Sequence, residues 1–269
     1  MRRFKRRSAR MNLMHFRVLT RRYFKQIFTS AGLFLPMLLQ APVMLLILFI
    51  VSQKDAFSAH DVTQANVIAF MVIVMSALMG ILNSYREICK EREILSREVF
   101  GGLDITAYVF SKFFVLSVVG IVQCAILFFG SMLFIDYSFL HLSGYAFCFA
   151  AAALVNISLT AIGLFVSALL KKSESAILPV LVLIIMQVVF SDCLISLGGG
   201  ADVFKYITPA AWGVAVFGHA SGINGWSEWF QKSMYDYNPF IPLAALAVIA
   251  AVFVFLTVAR LKRAYRQKD

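Results

Sequence analysis

Eight of the thirteen residues from Arg86 to Glu98 are charged, inside the stretch YREICKEREILSREVFGG (Tyr85–Gly102). Four are basic (Arg86, Lys90, Arg92, Arg97) and four acidic (Glu87, Glu91, Glu93, Glu98). Such groups can catalyse, hold a metal or dock a partner, and the rest of the chain narrows the choice. The four histidines (His15, His60, His141, His219) are dispersed, and no HExxH, no Ser/His/Asp set and no paired glutamates within an apolar run accompany them. Cys89, Cys124, Cys148 and Cys193 are scattered, without CxxC or metal-ligand spacing, and read as buried thiols. No GxxxxGK[ST] loop is present to cradle ATP. No catalytic residue, metal site or cofactor site is therefore assigned. What remains is a short helix, charged on one side. Glu93 and Arg97 stand at i,i+4, Ile88, Leu95 and Val99 form a sparse apolar stripe, and Gly101–Gly102 ends the helix. It reads as a docking surface for a cytoplasmic partner, against the plainer alternative of a solvated loop helix.

The elements that must position this stretch are apolar. The chain is 61% hydrophobic and 14% charged with a mean hydropathy of +0.81, whereas soluble domains carry about 25% charged residues. It is read as an all-α integral membrane protein, a single domain over 1–269. Six runs are long enough to cross about 30 Å of hydrocarbon. They are Gly32–Ser52, Asn66–Tyr85, Ile105–Ile135, Gly144–Leu170, Ser175–Leu197 and Phe240–Arg260. The charged helix (86–100) falls between the second and third. An outer segment (198–238) precedes the sixth and includes TPAAWGVAVFGHA, which suits a short re-entrant or interfacial helix.

Twenty-two of the twenty-five Lys and Arg lie before the first run, around the charged stretch, between the fourth and fifth runs, or in the tail. Only Lys54, Lys205 and Lys232 fall on the other side. Both termini and the charged stretch are thus expected in the cytoplasm, in the plasma (bacterial inner) membrane. No signal peptide is expected, because basic and amphipathic residues precede the first run. Within residues 1–31, Phe16, Leu19, Tyr23 and Ile27 share one helical face while Arg17, Arg21 and Lys25 share another. That pattern fits an interfacial helix with its cations towards anionic lipid, or equally a generic polybasic topology anchor, and neither needs nucleic acid to explain the basic residues. Asn83, Gln123 and Asn156 are expected to hydrogen-bond between helices.

EREILSREVFGGLDITAYVFSK (Glu91–Lys112) resembles the stretch after the second span of ABC transporter type-2 permeases, especially the ABCG (white, pleiotropic-drug) branch. Glu91, Arg92, Ile94, Leu95, Arg97, Glu98, Gly101, Gly102, Ala107, Tyr108 and Lys112 carry the likeness. FRVLTRRYFKQIFTSAGLFLPMLLQAPVMLLI resembles the family's connecting helix and first span, and YITPAAWGVAVFGHA its external segment after the fifth.

The resemblance implies a non-enzymatic permease subunit of an ATP-driven exporter. Two copies of a separate ABC ATPase would bind the ATP and Mg, and a second permease, identical or different, would complete the membrane part. The helix after the second span would be the coupling helix, with Glu91, Arg92, Glu93, Arg97 and Glu98 in contact roles and Glu91 the most sensitive. The implied substrate path runs between permeases along the second and fifth spans. Its candidates here are Asn66, Phe70, Met71 and Met75, then Met186, Gln187, Phe190 and Asp192, a set suited to amphipathic cargo. The alternatives are a membrane-embedded enzyme, an ion-coupled secondary transporter and a non-catalytic assembly protein. Clustered titratable groups within the runs, or inverted repeats with mid-span charges, would mark the first two.

Overall fold

The computed structural model describes residues 12–137, 141–170, 172–193 and 199–266. Arg2, Arg3, Lys5, Arg6, Arg7, Arg10, Lys171 and Lys268, and the end of the fifth apolar run, lie outside the described residues. Among those described, nine α-helices form and no strand. They are α1 (Leu13–Thr29), α2 (Ala31–Val51), α3 (Val62–Ser84), α4 (Arg92–Phe100), α5 (Ile105–Ser131), α6 (Leu142–Leu169), α7 (Ile177–Val189), α8 (Pro209–Ser221) and α9 (Phe240–Arg266).

Local signals start several of them. Asn12 accepts from the amides of Met14 (3.0 Å) and His15 (3.3 Å), Asp61 from those of Thr63 (3.0 Å) and Gln64 (3.1 Å), and Asp104 from that of Thr106 (2.9 Å). Each side chain satisfies amides that the first helical turn leaves without partners. At the other extreme, Gly102 adopts φ +100° after α4, a left-handed turn that glycine makes without Cβ strain.

Five helices, α2, α3, α5, α6 and α9, are long and apolar enough to cross a membrane. The chain is therefore a multi-pass helical membrane protein. The fifth apolar run departs from its expected length: its continuous helix covers only Glu174–Val189, about 24 Å at 1.5 Å per residue. Past Phe190 the chain turns at Asp192, whose φ is +55°, a break that hydropathy does not register.

α6 is the axis of the bundle, packed against α3, α5, α8 and α9. Sixteen of its residues are buried, nearly half of them Ala or Gly, and small side chains let helices approach closely where lipid supplies no hydrophobic drive. A Cβ on Gly80 would collide with the Asn156 carbonyl oxygen, so the α3–α6 crossing needs glycine there. The three expected interhelical amides do pair. Asn83 donates to Gln123 (2.7 Å), Gln123 to the Met37 carbonyl (2.7 Å), and Asn156 to the Ser76 carbonyl (2.9 Å).

α8 is the helix expected to be re-entrant or interfacial. Eleven of its thirteen residues are buried, against α3, α6 and α9. Pro209 at its first position and left-handed Gly222 after its last bound it sharply. Two apolar cores result: one at the α8 end, and one near the basic end joining α1, α4, α5, α6 and α9.

Candidate functional site

The charged stretch sits on the second core. Ile88, Leu95 and Val99, the expected apolar stripe, are 1%, 1% and 4% exposed. The amides of Ile88 and Cys89 both donate to Ser167 Oγ at 3.0 Å, and Arg92 donates to the Leu170 carbonyl at the end of α6. A guanidinium there meets both an open carbonyl and the negative end of the helix. Tyr265 of α9 donates to the Arg92 carbonyl (3.4 Å). The stretch is thereby tied to α6 and α9.

Its tie to α1 and α5 is electrostatic. Lys112 of α5, with its side chain 3% exposed, lies 2.9 Å from a Glu91 oxygen and 3.3 Å from a Glu87 oxygen. Tyr108, one turn earlier, donates to Glu91 (3.0 Å). Glu87 also takes Lys90 and the Tyr23 hydroxyl of α1, and Lys112 stands 4.1 Å above the Tyr23 ring. Two carboxylates thus meet two ammonium groups and two phenol donors, and both oxygens of the buried Glu87 face a donor, the condition under which buried ions are tolerated. Eight charges from Arg86 to Glu98 keep this segment outside the hydrocarbon. Burial alone would push the Glu87 carboxyl up, but Lys112, Lys90 and the hydrogen bonds outweigh it and hold it below its ordinary value. Burial and the facing Glu87 carry the Tyr23 phenol well above its usual range, so it remains a donor.

The five residues expected to contact a partner divide into two sets. Glu91 and Arg92 point inward as described, and Glu98 pairs with Arg22 of α1 at 2.6 Å, a half-exposed bridge. Glu93 and Arg97 are exposed and, among the described residues, no ion pair joins them. The expected i,i+4 pair is not made. Beside them the apolar Ile94 and Phe100 are 48% and 90% exposed. Sequence reasoning gave Glu87 no role, although Glu87/Glu91 and Tyr108/Lys112 repeat the same i,i+4 step on the two facing segments. That repeat is the signal that could have paired them.

The path candidates are not brought into one cavity. Asn66, Phe70 and Met75 are buried and Met71 is half-buried. Gln187 is buried and accepts from the Ala210 amide (3.1 Å), Met186 is half-buried, and Phe190 stacks on Phe204 with ring centres 5.0 Å apart. Asp192 meets Lys232. A cavity of about 300 Å³ opens elsewhere, between Lys54, Asp136 and Tyr145. Among the described residues no group of three His, Cys, Asp or Glu side chains could hold a metal.

A family model described as "ABC-2 type transporter" matches residues 14–218. The ABC transporter ATP-binding/permease protein Rv1747 of Mycobacterium tuberculosis (strain ATCC 25618 / H37Rv) is 31% identical over 157 residues, which is 55% of this chain. The aligned part is 18% of that relative's length, so this chain corresponds to a small portion of it.

Proposed function

The chain belongs to the ABC-2 type transporter family and is a transmembrane permease, and from that premise we propose that it is the membrane subunit of an ATP-driven exporter. Two copies of a separate ABC ATPase bind ATP and Mg, and a second permease, identical or different, completes the pathway. The name of the mycobacterial relative joins ATP binding and permease in one protein, which favours an ATPase partner here. The basic end faces the cytoplasm, where positive residues accumulate, in a plasma or bacterial inner membrane. Arg17, Arg21 and Lys25, exposed on α1, lie among anionic headgroups. α7 brings the crossings to six and is the fifth of them in chain order.

One observation carries the coupling role. A segment clamped to α1 and α5 by the Glu87–Glu91–Lys112 ion set and to α6 and α9 by hydrogen bonds ends in a bare edge of Glu93, Ile94, Arg97 and Phe100. A stiff, anchored helix with an exposed aromatic tip can transmit force from a partner to the bundle, whereas a solvated loop cannot. Glu91, Arg92 and Glu98 then act by holding the lever, and the bare edge by touching the ATPase. The cargo path runs between the two permeases, with Met71, Met186 and Phe190 as its adaptable apolar lining.

Co-purification in lipid with the candidate ATPase tests this. Ile94→Asp puts a charge into the docking edge and should abolish association while the permease still elutes as a folded species. An ATPase that binds the variant as well as the native chain, or binds neither, would sink the coupling reading.

A further inference from the structure

α3 and α7 are both implicated in the path, yet they are held very differently. Seventeen of the 23 residues of α3 are buried, whereas α7 buries only Val180 and Gln187 of its thirteen. Apolar packing within the chain therefore contributes little to keeping α7 in place. Its polar ties are concentrated at the end away from the charged stretch.

There, left-handed Asp192 turns the chain so that Cys193 meets Asn66 near the start of α3. Asn66 Nδ2 donates to the Cys193 carbonyl (3.2 Å), and Cys193 Sγ donates to the Asn66 carbonyl (3.4 Å). The Tyr235 hydroxyl donates to Asn66 Oδ1 from the turn Ser233–Asp236. Lys232, beside that turn, donates to the Asp192 carbonyl and lies 3.7 Å from its carboxylate. Tyr235 is itself immobilised. Its ring covers Gly218 so closely that a Cβ there would collide with it, and its carbonyl shares a 2.9 Å hydrogen bond with His219. One side of this junction is thus fixed to α3 and α8, and the other is the end of a weakly packed helix.

We propose that Asn66, Tyr235 and Lys232 form a latch that holds Cys193 and Asp192, and with them the end of α7, against α3, and releases them during the transport cycle. The cycle is that of the proposed function, on which this inference rests. The latch suits repeated opening. Its ties are single hydrogen bonds and one half-buried ion pair stretched to 3.7 Å, each weak enough to break and reform. Asn66 and Asp192 therefore act as positioning residues of the closed state.

Cys193 is a native reporter, because its side chain is buried under the latch (8% exposed). With Cys89, Cys124 and Cys148 replaced by Ala, the full chain with its ATPase in proteoliposomes is treated with a membrane-impermeant maleimide, and labelling of Cys193 is timed. The native latch should label slowly. Tyr235→Phe should speed it by about three- to tenfold, the factor for losing one such tie, Lys232→Gln, which loses both the carbonyl hydrogen bond and the ion pair, by at least as much, and ATP turnover should speed the unmutated latch. Equal rates in all forms, or slow labelling during coupled ATP hydrolysis, would overturn the latch. Acceleration by both substitutions, in a preparation where the ATPase neither associates nor hydrolyses ATP, would keep the latch and count against the ATP-driven reading. A variant that elutes as aggregate is replaced by Asn66→Asp, which loses the donor to the Cys193 carbonyl and should open it similarly; an unchanged rate in that variant also overturns the proposal.

Discussion

The two ends of the molecule are fastened by different chemistry. At the basic end buried Glu87 and Lys112 and half-buried Glu91 meet the more exposed Lys90 and the phenols of Tyr23 and Tyr108, each carboxylate matched by an ammonium and a phenol. At the far end Asn66, Cys193 and Tyr235 are joined by neutral hydrogen bonds, beside a single half-buried Lys232–Asp192 pair at 3.7 Å. A buried ion set behaves as a unit, because removing one member strands the others in a poor dielectric. Neutral ties fail one at a time, each at small cost. The first suits a lever that must stay rigid, the second a contact that must open.

Lys112→Met should expose that difference most strongly. It leaves buried Glu87 and half-buried Glu91 with only the more exposed Lys90 to answer them, and destabilisation of about 3–5 kcal/mol is expected. Thermal unfolding in detergent reads it directly. Adding Glu87→Gln and Glu91→Gln to the same chain should recover most of the loss, since the stranded charge is then gone. If Lys112→Met alone unfolds like the native protein, the cluster is not a unit and the contrast between the ends collapses.

Tyr108→Phe comes next. Glu91 keeps Lys112 but loses the 3.0 Å phenol donor, and a hydrogen bond to a charged group contributes about 1.5–3 kcal/mol. Tyr235→Phe, its counterpart at the far end, removes a neutral tie and should cost about 0.5–1.5 kcal/mol. The same thermal assay on both variants sharpens the comparison: equal losses would mean that the charge at the basic end adds nothing. Acidification separates them further. The Glu87 carboxyl is held below its ordinary value, so its contribution is complete above the ordinary glutamate range, about pH 4.3, and is lost only as pH falls through the lower folded value. The Tyr235–Asn66 tie has no such dependence across that interval.

Much of this fold was legible in the sequence because apolar periodicity and charge placement are local. The face of Leu19, Tyr23 and Ile27 and the stripe of Ile88, Leu95 and Val99 are buried where their spacing puts them. What periodicity misses is partnership across distance. Glu91 looks the same in a string of letters whether it faces water or Lys112, twenty-one residues on, and so it was assigned to the partner rather than to the bundle's own clamp. The break after α7 escaped for a related reason. Hydropathy sums side chains, while the left-handed Asp192 is a backbone event. The burial of α8 follows from neighbours that only the tertiary packing supplies.

The smallest effect on stability belongs to Arg97. Its side chain is exposed on the last turn of α4, with no ion pair among the described residues, so Arg97→Ala should change unfolding by no more than about 0.5 kcal/mol. Its expected effect lies elsewhere: on the docking edge beside Phe100, loss of the cation should weaken ATPase association measured in lipid, and more so at low salt, where exposed charges act over longer range. Glu91→Ala should do the reverse, lowering stability first and association only through it. If Arg97→Ala leaves association untouched at every ionic strength while Glu91→Ala abolishes it in a folded permease, the inward and outward sets have exchanged roles, and the clamp itself would be the surface that meets the partner.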